Sequence, residues 1–209
     1  MLHKEVAALV RDPARFLDRL PSVYDWGRLG CFTGSRLGEY GQSKPRPGEP
    51  FATVPSCADA GEWAGTPLAF IRDDFTFYDG QRRHLDIVDL SRLRQLAEEL
   101  HVRFRFDKSV LNFTIRKFRR MRGSFMCPVD SAISILRRAH LLQVPQGYPI
   151  GVFRCPTTGS FRFICGSDIS SVMQYACRMA YPDINHYMRH HIDRIMAHSN
   201  RVTACLALH

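Results

Sequence analysis

Arg36, Lys108 and a His198-x-x-Arg201 pair are the residues whose types and spacing suit chemistry on a phosphate. Arg36 stands in Thr33-Gly34-Ser35-Arg36-Leu37-Gly38-Glu39-Tyr40, and Lys108 lies in a basic stretch at mid-chain. Spaced i, i+3, His198 and Arg201 project from one face of a helix near its N-terminus, where backbone donors also favour an anion. Taken singly, each has a plainer reading. A helix-starting arginine is usually a solvated charge, and an isolated His-x-x-Arg pair is more often a structural hydrogen bond. The charge around Lys108 adds weight: Arg103, Arg105, Lys108, Arg116, Lys117, Arg119, Arg120 and Arg122, against Asp107, carry seven of the chain's nine net positive charges. A field focused in this way suits a polyanion, because each neutralised phosphate releases counterions. The bland alternative is a solvated charged hairpin.

The elements that must position these groups follow from hydrophobic spacing. Residues 6–20 fit a helix interrupted near Pro13 and residues 23–32 a second one, after which Thr33 or Ser35 can cap a short third helix beginning at Arg36. Residues 44–65, with Pro45, Pro47, Pro50 and Pro55, read as a connecting loop, expected to be the mobile part of the chain. Short strands are predicted at 68–71, 75–78 and 84–88, the last two joined by a turn at Asp79-Gly80. Leu93, Leu96, Ala97 and Leu100 recur at helical spacing. Next, Val102, Phe104 and Phe106 alternate with Arg103, Arg105 and Asp107, a strand with aromatics on one face and charge on the other.

Residues 108–112 turn the chain and 113–118 return as the partner strand, which puts Lys108 at a hairpin tip. Phe104, Phe106, Phe113 and Phe118 could stack the bases of a single strand; packing onto the core, with the arginines outward, is the reading favoured. Pro128 suits the first turn of a helix whose stripe is Val129, Ala132, Ile133, Leu136 and Ala139. Short strands at 150–153 and 160–164 precede a helix capped by Ser167 or Asp168, with Ile169, Val172, Met173, Ala176 and Ala180 on one face. Pro182 begins a further helix, and a last one starts near His198 and buries Val202, Cys205 and Leu206.

The ordered series of a Thr-Gly-x-Arg box, a hairpin lysine and a His-x-x-Arg box resembles the catalytic domain of the tyrosine recombinases. It is most similar to those of mobile elements of the DIRS and Crypton kind, through YDWGRLGCFTGSRLGEY at 24–40 and AHSNRVTACLALH at 197–209. The resemblance covers about 23–209. It implies that Arg36 and Arg201 clamp the non-bridging oxygens of a five-coordinate phosphorus, that Lys108 protonates the leaving 5′ oxygen, and that His198 assists proton transfer or holds the phosphate. A tyrosine nucleophile would form a 3′-phosphotyrosine, and because that bond conserves the energy of the broken one, no cofactor is implied. The implied partner is double-stranded DNA, with protomers able to assemble on it and no small-molecule substrate. The basic hairpin, through Arg103, Arg105, Arg116, Lys117 and Arg119, is expected to contact phosphates more than bases.

The match departs from the family at its end. The family's later His or Trp and its tyrosine lie beyond the His-x-x-Arg helix, whereas eight residues follow Arg201 here, and Tyr175, Tyr181 and Tyr187 precede the motif. The expectation is one partial catalytic domain over 1–209, with a remnant of an N-terminal DNA-binding domain at most in 1–20, that keeps a phosphate pocket but does not cleave DNA alone. Two rivals remain: a non-catalytic DNA-binding remnant or regulator using the same surface, and a basic RNA-binding domain using the phenylalanines.

Composition sets the outer bounds. A chain of 209 residues, 45% hydrophobic, supports one substantial domain or two small ones. No stretch approaches the roughly 20 apolar residues of a membrane span, and Lys4, Glu5, Arg11 and Asp12 interrupt any signal-peptide run. No membrane partner is therefore expected, and the protein is read as intracellular, nuclear if its host is eukaryotic. Seven cysteines without a CxxC argue against a disulfide framework and a zinc ribbon; most read as small buried hydrophobes. His186, His190 and His191 could grip zinc with Cys155 or Cys165, but without regular Cys spacing a solvated helix face, and no metal, is the reading adopted. The fold class expected is α+β, mainly helical and like the tyrosine recombinase catalytic domain, with small antiparallel sheets.

Overall fold

The computed structural model describes residues 15–34, 47–55, 61, 64–105, 114–183, 185, 191 and 194. Among these the chain is α+β. Its helices are α1 (Arg19–Thr33), α2 (Leu90–Leu96), α3 (Pro128–Leu141) and α4 (Gly166–Ala180), and its strands are β1 (Phe75–Tyr78), β2 (His84–Leu85), β3 (Glu99–Phe104), β4 (Thr114–Arg119), β5 (Val152–Arg154) and β6 (Phe161–Phe163). The strands form a four-stranded sheet in the order β2-β1-β3-β4 and a separate β5-β6 hairpin, with every pairing antiparallel.

α1 begins four residues before the predicted start at Val23 and takes Pro21 into its first turn, where the missing N–H has no intrahelical acceptor to lose. It stops at Thr33, whose Oγ1 donates back to the Leu29 carbonyl (3.1 Å), while Gly34 adopts φ +60° and donates its N–H to Gly30. Thr33 thus closes the helix before it. The helices predicted from Arg36 and near His198 lie outside the described residues; of the helix predicted over 6–20, residues 15–18 form a turn and bend ahead of α1, which takes in 19 and 20, and the rest lies outside the described residues.

The main sheet turns one face inward. Phe75 and Phe77 of β1 lie opposite Val102 and Leu100 of β3, and these with Phe104 are buried beneath α3. Leu100 is therefore a strand residue, contrary to the helical spacing read over 93–100. α2 ends at Leu96, which is 41% exposed, and the chain straightens at Ala97 so that Glu98 can donate its N–H to the Tyr78 carbonyl. The strand predicted at 68–71 reduces to a single bridge between Ile71 and Pro149, followed by a 3-10 turn at Arg72–Asp74.

α3 buries its whole predicted stripe. It meets α1 through a buried ion pair in which Arg138 donates to Asp25 at 2.6 Å, with Arg138 Nε on the Phe16 carbonyl at 3.0 Å. Trp26 of α1 stacks on Phe70, ring centroids 6.0 Å apart, and meets Phe75 edge-on. Ser22 Oγ donates to the Val152 carbonyl at 2.5 Å and ties α1 to the small hairpin. The N-cap of α4 is Cys165, neither Ser167 nor Asp168. Asp168 sits at the third helical position and its carboxylate accepts from both the Cys165 N–H (3.0 Å) and the Cys165 thiol (2.9 Å), which ties down the start of the helix. Among the described cysteines, Cys127 and Cys177 are buried and Cys31, Cys155 and Cys165 half-buried. No helix among the described residues is long and apolar enough to cross a membrane.

Candidate nucleic-acid interface

Arg36, Lys108, His198 and Arg201 lie outside the described residues, so the site is built here from the flanks of those boxes and the basic hairpin. α1 runs up to Gly34, two residues before Arg36, and β3 and β4 stand before and after Lys108 in the chain. Arg116 joins the two flanks. Its Nη1 donates to the Thr33 carbonyl, and its guanidinium lies over the Phe104 ring, 4.8 Å from the centroid. The helix end that leads into the first box is thus bound to the strand that leaves the second.

The five hairpin cations expected at the DNA surface divide into distinct environments. Lys117 and Arg119 are exposed on the outer face of the sheet and make no hydrogen bond or salt bridge among the described residues. Arg103 shares that face but its Nη2 donates to the Asp73 carbonyl at 2.9 Å. Arg116 is on the opposite face, committed to Thr33 and Phe104. The expectation that the hairpin arginines face outward fails at Arg105, which is 5% exposed. Its Nε binds both carboxylate oxygens of Asp74 (2.9 and 3.0 Å), Nη1 binds the Pro67 carbonyl (2.6 Å) and the Thr66 hydroxyl (3.1 Å), and Nη2 binds the Ala69 carbonyl (2.6 Å). β3 ends at Phe104, so the two-residue alternation no longer dictates where Arg105 points. Burial pushes the Asp74 carboxyl upward, opposed chiefly by the Arg105 charge beside it. The guanidinium keeps its proton even where burial lowers its pKa.

The phenylalanines do not form a stacking platform among the described residues. Phe104 is buried edge-on against Phe70 and Phe118 packs on Phe32, while Phe106 and Phe113 lie outside the described residues. His186 and His190 lie outside them as well.

The outer sheet face carries rings that the sequence reading missed. Tyr78 of β1 pairs with His84 of β2 on one side and Glu99 of β3 on the other, and Glu99 pairs with Arg119 of β4; His101 pairs with Lys117 in the next row. The Tyr78 ring contacts His101 (centroids 4.6 Å apart) and His84 (5.9 Å). His101 Nε2 lies 2.5 Å from Glu99 Oε1. That hydrogen bond, reinforced by the charges of Arg82 and Lys117, holds the Glu99 carboxyl below its ordinary range. A cavity of about 480 Å³ opens over Tyr78, Glu99 and His101, rimmed by Arg82, Lys117 and Arg119. The signal was present in the alternation of Glu99, His101 and Arg103 with Leu100, Val102 and Phe104; assigning 93–100 to a helix concealed it.

A second cavity, about 780 Å³, opens near α1 and α3 and contains Arg28, Arg94, Arg120 and Arg137. Two of its four arginines are engaged by carboxylates: Arg28 binds Asp25 (2.7 Å) and Arg120 binds Asp130 (2.5 Å). Compared with known protein families, with characterised proteins and with solved structures, the chain matches none.

Proposed function

We propose that this chain binds double-stranded DNA as a tyrosine-recombinase-like domain for DNA strand cleavage and rejoining, with Arg36 and Arg201 clamping the phosphate, Lys108 as general acid and His198 assisting. The observation that carries the reading is the Arg116 bond to Thr33, which joins the flanks of the Arg36 and Lys108 boxes. Two residues that must reach one phosphate need such a tie between their supporting elements. The exposed cations Lys117 and Arg119 on the same hairpin support duplex contact through phosphates.

The test has two arms. Duplex affinity is measured against salt for the wild type and for Lys117→Glu with Arg119→Glu; the salt slope should flatten by about 2, since each phosphate contact contributes about 0.9. Release of p-nitrophenol from an oligonucleotide ending in a 3′-p-nitrophenyl phosphate, with water as nucleophile, reads the clamp without a protein nucleophile. It should be lost in Arg36→Ala and Arg201→Ala. An unchanged salt slope counts against the DNA surface, and release indifferent to both arginines leaves only the non-catalytic binding role.

A further inference from the structure

The cavity on the outer face of the main sheet has a ring floor and a cationic rim. Tyr78 of β1 and His101 of β3 form that floor, their rings in contact, and His84 of β2 packs on the Tyr78 ring outside the lining. Lys117 and Arg119 stand on β4 beyond them, and Arg82 stands on the turn at the other end. All three cations are exposed and, among the described residues, their side chains make no hydrogen bond or salt bridge. Glu99 is the one carboxylate in the pocket, and His101 engages it. The pocket therefore combines aromatic surface with an excess of positive charge, three cations against one carboxylate. A bare phosphate would use only the charge and a neutral aromatic ligand only the rings. A nucleotide uses both, and cavities of several hundred Å³ are the usual size for small ligands.

The turn that places Arg82 supports a binding role. Arg82 adopts φ +61°, in the left-handed region that disfavours side chains with a Cβ. Asp79 holds the turn in that shape, accepting from the N–H groups of Gln81 and Arg83 at 2.9 Å each and from Arg83 Nε at 2.7 Å. Glycine or asparagine would relieve the backbone there. An arginine in this conformation puts a guanidinium on the rim of the pocket at a cost to the turn, and strained residues of this kind concentrate at binding sites.

We propose that this pocket seats an unpaired nucleotide of a single-stranded nucleic acid, its base against the Tyr78 and His101 rings and its flanking phosphates on Arg82, Lys117 and Arg119. This surface differs from the phenylalanine platform; it shares Lys117 and Arg119 with the proposed duplex surface, whereas Tyr78 and Arg82 lie outside the residues assigned to duplex contact and test the pocket separately.

The experiment uses the whole chain and a fluorescein-labelled 12-nucleotide single strand, its duplex, and the same strand with abasic sites throughout. Tyr78→Leu keeps an apolar side chain in the sheet and should weaken single-strand binding about ten-fold, as loss of one aromatic stack does. Arg82→Gly should weaken it several-fold while leaving the thermal midpoint unchanged or raised, a combination that a merely structural arginine would not produce. The abasic strand should bind at least about ten-fold more weakly than the intact one. Equal affinity for abasic and intact strands, or wild-type single-strand affinity in both variants, overturns the proposal. If the duplex salt slope still responds to Lys117→Glu with Arg119→Glu in that case, the duplex reading stands and the pocket alone has failed.

Discussion

Arg105→Met tests whether this cation holds the fold or serves as a surface contact. The methionine retains the apolar stem and removes every donor that reaches Asp74, Pro67, Ala69 and Thr66. Deleting one partner of a buried ion pair costs about 3–5 kcal/mol, because the other charge is left without compensation. Each of the two carbonyls that stays buried without a donor adds about 1 kcal/mol or more. Protonation of Asp74 offsets part of this, so a net loss of about 4 kcal/mol is expected. Against a total stability of about 5–15 kcal/mol that is severe. It corresponds to a fall in thermal midpoint of about 8–16 °C for a chain of this length.

The pH dependence has a definite sign. In the variant Asp74 keeps its burial and loses the opposing Arg105 charge, so its folded pKa stays above the ordinary 3.8. A carboxyl with a raised folded pKa contributes stability below its unfolded pKa and loses that contribution as pH rises through the folded one. The deficit relative to wild type should therefore shrink as pH falls toward 4. Thermal unfolding followed by circular dichroism at pH 7 and pH 4.5, with duplex affinity measured well below the midpoint, checks both points. A variant with the wild-type midpoint but weaker duplex binding and a flatter salt slope would refute the argument, since Arg105 would then be a surface phosphate contact.

Gly34→Ala should cost about 1 kcal/mol, read as a lower urea midpoint, because Gly34 closes α1 at φ +60° and an added Cβ would lie 3.4 Å from Arg116 Nη1. An unchanged midpoint would mean that the helix end and Arg116 adjust freely. The Cys155 thiol is drawn down to about 6, first by a hydrogen bond from the Thr157 hydroxyl and then by Thr158, whereas burial pushes Cys127 up. Iodoacetamide should alkylate Cys155 with an inflection near pH 6 and spare Cys127 in the native protein. Thr157→Val should move that inflection toward the ordinary thiol value of 9.0; an inflection already near 9.0 in the wild type would contradict the hydrogen-bonding account.

The parts of the fold that were legible in the sequence are those specified locally. The α3 stripe, the turn after β1 and the β3-β4 hairpin follow from periods of 3.6 and 2 and from the turn-forming pair Asp79-Gly80. Residues 93–100 were misread because Leu93, Leu96, Ala97 and Leu100 satisfy the helical period while Leu100, Val102 and Phe104 satisfy the strand period. The β1-β3 register, set by Phe77 opposite Leu100, decided between them. Arg105 was misassigned for a related reason: its partner, Asp74, is 31 residues away, on a turn that no periodicity marks. The Tyr78 and His101 rings were missed because strand register, not sequence spacing, brings them together.

A net charge of +9 overstates what this surface offers a polyanion. Arg28, Arg105, Arg120 and Arg138 each bind a carboxylate and a backbone carbonyl, and Arg116 binds the carbonyl at the end of α1. A guanidinium used in this way acts as a multiple backbone clamp, and its charge is already opposed or enclosed. Lys117 and Arg119 remain on the outer face of the hairpin, with Arg82 beside them. Since each phosphate contact contributes about −0.9 to the salt slope, Lys117 and Arg119 together account for about −2, far from the −7 that every cation between 103 and 122 would imply. Reversal of Arg120 or Arg116 should consequently lower the unfolding midpoint while leaving the slope of the folded protein nearly unchanged, the opposite of what reversal at Lys117 and Arg119 should do. Charge density in the sequence marks the hairpin as cationic, and hydrogen bonding decides how little of that charge is free to act.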